Sequence, residues 1–187
     1  MAIETEKKYR LDKKLVVQIA ARLRELGADF AYERFEENYL HRGGLLDDRG
    51  AVLRLRKTDD LTLLTYKEKV NSDTAADYKS KIEFETEVSD VGEMESIIDK
   101  LGYRLSVVYE KHRKAWHFGN VEVVIDELPF GYFMEIEGPI KDIIAAEKAL
   151  GADRIEVEQR GYPRLTVKYG KDVDGVMESR FTKTNSA

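Results

Sequence analysis

Cysteine is absent from this chain of 187 residues. Disulfides, thiolate metal sites and cysteine nucleophiles are therefore excluded. Long apolar runs are absent too. None approaches the roughly 18 residues that a membrane-crossing helix needs, and the N-terminus lacks the basic-then-apolar pattern of a signal peptide. A cytoplasmic protein with no membrane contact is the expectation. A charge excess of one sign is also missing: 31 Lys and Arg stand against 36 Asp and Glu, for a net charge of −5. A nucleic-acid partner usually calls for a basic excess, so none is expected. His41, His112 and His117 show no ligand-like grouping. The single tryptophan, Trp116, is read as a packing residue.

What the chain has in quantity is charge, at 36 % of residues, against roughly 25 % in ordinary soluble domains. With 42 % hydrophobic residues there is enough apolar material for one domain with a true core. No internal linker or low-complexity segment divides it. Residues 1–170 are expected to form that domain. Residues 171–187, "KDVDGVMESRFTKTNSA", are expected to be a polar, flexible tail.

Three stretches carry helical periodicity. Leu15, Val16, Ile19, Ala20, Leu23 and Leu26 recur at spacings of three and four, with Asp12 as a cap and Gly27 as a stop. Met94, Ile97, Ile98 and Leu101 form a second stripe, opened by Asp90 and Glu93 and ended by Gly102. The third follows Pro139 and ends at Gly151. Between them the chain alternates at period two in "IETEKKYRL", "YERFEENYLH", "AVLRLRK", "TLLTYKEKV", "YKSKIEFETEV", "LSVVYEKHRKAWHF", "VEVVIDEL" and "YFMEIEG". Gly119-Asn120 reads as a hairpin turn. The pattern predicts an α+β domain built on an antiparallel sheet or barrel.

The alternation sorts charge by strand. One face of the first strand carries Glu4, Glu6, Lys8 and Arg10. Other strands offer mainly bases on that face: Arg54 and Arg56, then Lys67 and Lys69, then Lys111 and Arg113. Lys79, Lys81, Glu83 and Glu85 mix both signs, while Glu122 with Asp126 and Glu135 with Glu137 are acidic. Any one of these is explained by a wet sheet face. Taken together, the amphipathic helices need the apolar faces as partners, and a sheet of many strands can close on itself. The charged faces then line the inside. Ions are costly to remove from water, so the interior should be solvated. Its acids suit hard divalent cations, Mg²⁺ or Mn²⁺. Its bases suit a highly charged anion such as a triphosphate.

The run Glu4-Thr-Glu6-Lys-Lys8 resembles the E-x-E-x-K signature of the CYTH domain, the triphosphate tunnel metalloenzyme superfamily. The resemblance continues in order through Arg54-Leu-Arg56, Thr65-Tyr-Lys67-Glu-Lys69, Lys81-Ile-Glu83-Phe-Glu85, Lys111-His-Arg113, Asp126 and Glu135-Ile-Glu137-Gly, across about residues 3–165. It implies a closed eight-stranded antiparallel β-barrel forming a tunnel, with helices outside. It also implies an enzyme that needs Mg²⁺ or Mn²⁺ and acts on tripolyphosphate, ATP or thiamine triphosphate. By matched position it makes Glu4, Glu6, Glu135 and Glu137 metal ligands, with Glu85 and Asp126 as further candidates. Lys8, Arg54, Arg56, Lys67, Lys69, Lys81, Lys111 and Arg113 would bind phosphate. Lys8, Glu85 and Asp126 are the catalytic candidates. Lys81 stands where many relatives carry Arg, which keeps the charge but loses bidentate binding.

Three functions stay open on this reading: a triphosphate hydrolase, a class IV adenylyl cyclase, and a non-catalytic polyphosphate-binding module. A homodimer is compatible with all three. The acidic pair stands so near the first residue that no preceding segment is expected to help bind a nucleoside. Tyr39 is a candidate either for the inner face or for packing on the barrel wall, and Tyr162 and Arg164 are candidates for closing the barrel.

Overall fold

The structure, a computed structural model, describes residues 2–70 and 78–182. Along the chain run β1 (Ala2–Leu11), α1 (Lys13–Glu25), β2 (Asp29–Arg42), α2 (Gly44–Asp48), β3 (Val52–Lys57), β4 (Thr62–Lys69) and β5 (Lys79–Glu87). Then come α3 (Val91–Lys100), β6 (Arg104–Phe118), β7 (Val121–Leu128), β8 (Gly131–Glu137), α4 (Ile140–Leu150), α5 (Tyr162–Tyr169), β9 (Lys171–Val173) and β10 (Val176–Ser179).

The strands pair in the order β2-β3-β4-β5-β1-β8-β7-β6, and β6 pairs again with β2. That last pairing, from Asp29↔His117 to Arg42↔Arg104, closes the ring and leaves no barrel edge open. All the ring pairings are antiparallel. The α+β closed barrel of eight strands is thus what forms.

The predicted helices form where their signals stand. Asp12 caps α1 by accepting from the Leu15 N–H at 2.7 Å, and Asp90 caps α3 by accepting from that of Glu93 at 3.0 Å. Gly119-Asn120 turns β6 into β7, with Gly119 at φ 61°, where a Cβ is disfavoured. Packing follows the apolar stripes. Ile19 and Leu23 of α1 and Ile143, Ala146 and Leu150 of α4 bury against the outward side chains Val123, Ile125, Met134 and Ile136. Trp116 joins this outer core and lies edge-on to Phe30 at 5.5 Å. Ile98 of α3 is 1 % exposed against Leu55 and Val88. Burying a side chain of that size contributes about 1.5–3 kcal/mol. Among the described residues no helix is long and apolar enough to cross a membrane.

Two regions differ from expectation. The tail predicted as polar and flexible is a hairpin over β9 and β10, and β10 pairs in parallel with β6 from Met177↔Val107 to Ser179↔Tyr109. The Phe181 N–H donates to Glu110 Oε2 at 2.8 Å, and the ring stacks near Phe35 and His112. The pairing runs through backbone groups, which leave no mark on side-chain pattern. Residues 183–187 of that tail lie outside the described residues. Second, α5 has no counterpart in the sequence reading. Its Tyr162 and Leu165 pack with Leu40, Tyr109, Leu128 and Phe133, which share strand faces with the charged residues. The charged lumen therefore does not run the full length of the barrel: one end is filled by an apolar plug.

Candidate active site

Strand alternation brings the signature residues of seven strands onto one inner surface. Glu6 faces Glu137 and Lys8 faces Glu135 across β1–β8, and Glu4 faces Lys81 across β1–β5. Arg54 faces Thr65, which faces Glu85. Arg113 faces Asp126. The interior is knit by ion pairs. Lys8 Nζ lies 3.0 Å from Glu135 and Lys81 Nζ 2.9 Å from Glu6. Lys67 pairs with Glu83 and lies 3.7 Å from Glu4. An Arg54 Nη donates to Thr65 Oγ1 at 3.2 Å, and the Thr65 hydroxyl donates to Glu85 at 2.7 Å.

Arg113 grips Asp126 with two hydrogen bonds, of 2.7 and 2.6 Å, and reaches Glu135 at 2.8 Å. Asp126, fully buried, also accepts from the Tyr162 hydroxyl at 2.7 Å and lies 3.4 Å from Lys111. Asp126 is thus bound on all sides by donors, near the plug. It is not brought to Glu4, Glu6 and Glu137. The acidic residue of β7 that faces Glu137 is Glu122. Lys69 is brought to the register of Lys81 but remains exposed at the end of β4.

Besides Glu122, further inner residues lie outside the matched signature. Glu36 is fully buried on β2. It accepts from Arg34 at 2.7 Å and sits 3.2 Å from Lys111 and 3.6 Å from Arg56. Asn38 follows it on the same face. Lys79 donates to the Glu158 carbonyl at 3.3 Å. Tyr39, by contrast, packs outward against the cluster of Leu55, Val88 and Ile98. Tyr162 does close the barrel: its ring lies 3.6 Å from Lys8 Nζ, whereas Arg164 is exposed.

Electrostatics divide the lumen in two. Burial would raise Glu36 and Glu135, yet the surrounding bases hold both well below the usual carboxylate range. Burial pushes Lys111 and Lys67 down to about 8, with neighbouring cations adding to the effect. At the acidic end the sign reverses. Burial and the nearby Glu135 and Glu6 raise Glu137 to about 7. Burial and a hydrogen bond with Glu83 raise Glu4 to about 8. Carboxylates crowded this way are short of positive charge.

A strap beside β1 fixes the plug end. The Arg10 N–H donates to the Glu156 carbonyl and the Glu158 N–H to that of Lys8, both at 2.9 Å. Arg10 and Arg160 each reach Glu158 at 2.7 Å. Burial alone would raise Glu158, but Arg160 and Arg10 hold it down at about 2. A carboxylate held down in the fold contributes stability above its unfolded value near 4.3, and that contribution is lost as pH falls toward 2. The melting temperature should drop between about pH 4.5 and 2, and Glu158→Gln should flatten that drop. Identical acid profiles for both proteins would contradict this role.

Comparison with known proteins fits this architecture. The CYTH domain family model matches residues 2–162. A Methanocaldococcus jannaschii protein provisionally named an adenylate cyclase is 30 % identical over 152 residues, which cover 79 % of this chain and 83 % of that protein. A solved structure from Pyrococcus horikoshii aligns with a TM-score of 0.74 at 24 % identity, over 87 % of this chain and 98 % of that one. Another, a provisional adenylyl cyclase from Hippeastrum described as having a dominant triphosphatase activity, aligns at 0.67 and 17 % identity, over 93 % and 98 %. At such identities the two structures speak for the fold. The sequence match over most of the chain speaks for descent, and this chain belongs to the CYTH domain family.

Proposed function

We propose that the chain is a divalent-metal-dependent enzyme that hydrolyses tripolyphosphate or an organic triphosphate inside its barrel. The observation that carries this reading is a pair of buried guanidinium donors. Among the described residues Nε of Arg54 has no hydrogen-bond acceptor, Nε of Arg56 meets only Glu36 Oε2, at 3.6 Å, and the two residues are only 7 % and 9 % exposed. Buried charged donors this loosely met call for an anion. Lys8, Lys67, Lys81 and Lys111 stand around the same lumen, and phosphate is the anion that such a set of forks and point charges suits.

The acidic end fits a hard cation. Its donors are all carboxylate oxygens, two of them raised by burial and then by neighbouring carboxyl groups. Among the described residues no three such groups converge tightly enough to hold an ion as they stand, because Glu6 and Glu135 are turned to Lys81, Lys8 and Arg113. Glu4, Glu6, Glu135 and Glu137 would hold Mg²⁺ or Mn²⁺ by rotating from those bases. Such an ion would offset the triphosphate's charge and that of the transition state. Lys8, Arg54, Arg56, Lys67, Lys81 and Lys111 bind and align the phosphates. Water attacks the terminal phosphorus, the bridging P–O bond breaks, and pyrophosphate leaves when the substrate is tripolyphosphate. Glu85, oriented by Thr65 and with its side chain 34 % exposed, takes the water's proton. Asp126 acts through Arg113 and Lys111 as a positioning residue, and Lys69 gives long-range attraction only.

Adenylyl cyclisation is the second reading. The name of the archaeal relative favours it. So does Tyr32, whose ring lies 4.4 Å below the Arg34 guanidinium and would offer a flat group for a nucleobase. Purified protein incubated with tripolyphosphate, ATP or thiamine triphosphate, each with Mg²⁺ and with Mn²⁺, separates the readings. Orthophosphate without cyclic AMP supports the hydrolase, and cyclic AMP with pyrophosphate supports the cyclase. Binding without turnover of any of the three would overturn both in favour of a binding module.

A further inference from the structure

Strand β2 places in the lumen one polar residue that neither the charged pattern nor the ion-pair network uses. Asn38 is fully buried, and among the described residues neither Nδ2 nor Oδ1 has a hydrogen-bond partner. Its neighbours at i−2 and i+2 fix where it points. Glu36 meets Lys111 and Arg56 in the lumen, and Leu40 is part of the apolar plug. The residues facing Asn38 across the sheet are Arg56 on β3 and Tyr109 on β6. Asn38 is therefore the last polar side chain of β2 before the plug. It stands beside Arg56, whose Nε meets only Glu36 at 3.6 Å, and one step from Arg54, whose Nε has no acceptor among the described residues.

A carboxamide buried with both ends unsatisfied carries its whole desolvation penalty, and native interiors rarely keep one without a reason. The fold gives no such reason. A leucine of similar size would meet Leu40 and Tyr109 with no polar atom to satisfy. A ligand oxygen would supply what the protein does not. Charge is already abundant at this depth. A neutral donor adds direction to the site without a further cation that needs a partner.

We propose that Asn38 is a substrate-binding residue, whose Nδ2 donates to an oxygen of the innermost phosphoryl group beside the Nε donors of Arg54 and Arg56. With the plug behind it, it sets how deep the phosphate chain sits. This rests on reading the lumen as a triphosphate site, and the test keeps the two claims apart. Wild-type protein and Asn38→Leu are compared by thermal melting without ligand and by calorimetry with metal-free tripolyphosphate.

The expected result is a melting temperature for Asn38→Leu equal to or above that of wild type, with affinity for tripolyphosphate weakened about tenfold or more. Asn38→Asp should weaken it further, since a carboxylate there repels the phosphate. Affinity of Asn38→Leu within about threefold of wild type would overturn the proposal. A lowered melting temperature with unchanged affinity would overturn it too, by making Asn38 a fold residue. If Asn38→Leu does not fold, Asn38→Ala gives the same comparison, and failure of both to fold counts against the proposal. If wild type itself binds no tripolyphosphate, the reading of the lumen fails, and this inference falls with it.

Discussion

Glu6→Gln is expected to lower Mg²⁺-dependent turnover of tripolyphosphate by about a hundredfold or more, with little change in melting temperature. Glutamine keeps the shape and loses the charge. Glu6 faces Glu137 in register and lies 2.9 Å from Lys81, so it sits where acids and bases of the lumen meet. Burial would raise its carboxyl, but Lys81 holds it below the ordinary value, so it is ionised in the fold. An ionised carboxylate beside Glu137 is what a divalent cation needs. The same change releases Lys81 for phosphate. Metal-free tripolyphosphate should therefore bind as well as before or better, while the Mg²⁺ concentration for half-maximal rate rises. Kinetics at varied Mg²⁺, together with metal-free calorimetry, check both halves. Turnover within tenfold of wild type would remove Glu6 from the metal group.

Arg113→Ala should destabilise the fold by about 3–5 kcal/mol, because it strands Asp126 and Glu135 in the interior without their shared counter-ion. At this chain length that is roughly ten degrees or more in melting temperature. The geometry behind the expectation is the fork of bonds at 2.7, 2.6 and 2.8 Å to the two carboxylates. Burial would lower the guanidinium, but Asp126 and Glu135 raise it well above its ordinary value. Arg113→Lys should recover only part of the loss, since one ammonium cannot hold both acids in the same plane. A melting temperature for Arg113→Ala within about three degrees of wild type would show that the fork is not structural. Sequence matching assigns Arg113 to phosphate. The structure gives its donors to Asp126 and Glu135.

Most strands of the barrel were legible because they alternate between apolar and charged residues, as in Leu53-Arg54-Leu55-Arg56. Phase was legible only where the two alternating sets differ in polarity. On β2 they do not. Glu36, Glu37, Asn38 and Tyr39 offer polar atoms at both phases, so Tyr39 could be read as inward. The ring instead packs against the outer cluster of Leu55, Val88 and Ile98, which leaves Asn38 and Glu36 in the lumen. Irregularities in the β2–β6 register near Phe30 and Leu40 also break a simple count. The plug was hidden for another reason. Helix α5 is only eight residues long, too short for a periodic stripe, and its key contact is one tyrosine hydroxyl on a distant aspartate. Register could not be read either, so Glu122 rather than Asp126 facing Glu137 emerges only from the pairing of β7 with β8.

The central claim is that paired charges inside the barrel exist to hold and cleave a triphosphate. A phosphorus NMR time course of tripolyphosphate with wild-type protein and Mg²⁺ tests it most directly. The middle-phosphorus signal of tripolyphosphate should decay while pyrophosphate and orthophosphate grow in equal molar amounts. Lys8→Met should abolish that decay, because it removes the buried ammonium 3.0 Å from Glu135. An unchanged tripolyphosphate spectrum with wild type and Mg²⁺, together with no orthophosphate release under Mn²⁺, would rule out a triphosphate-cleaving barrel.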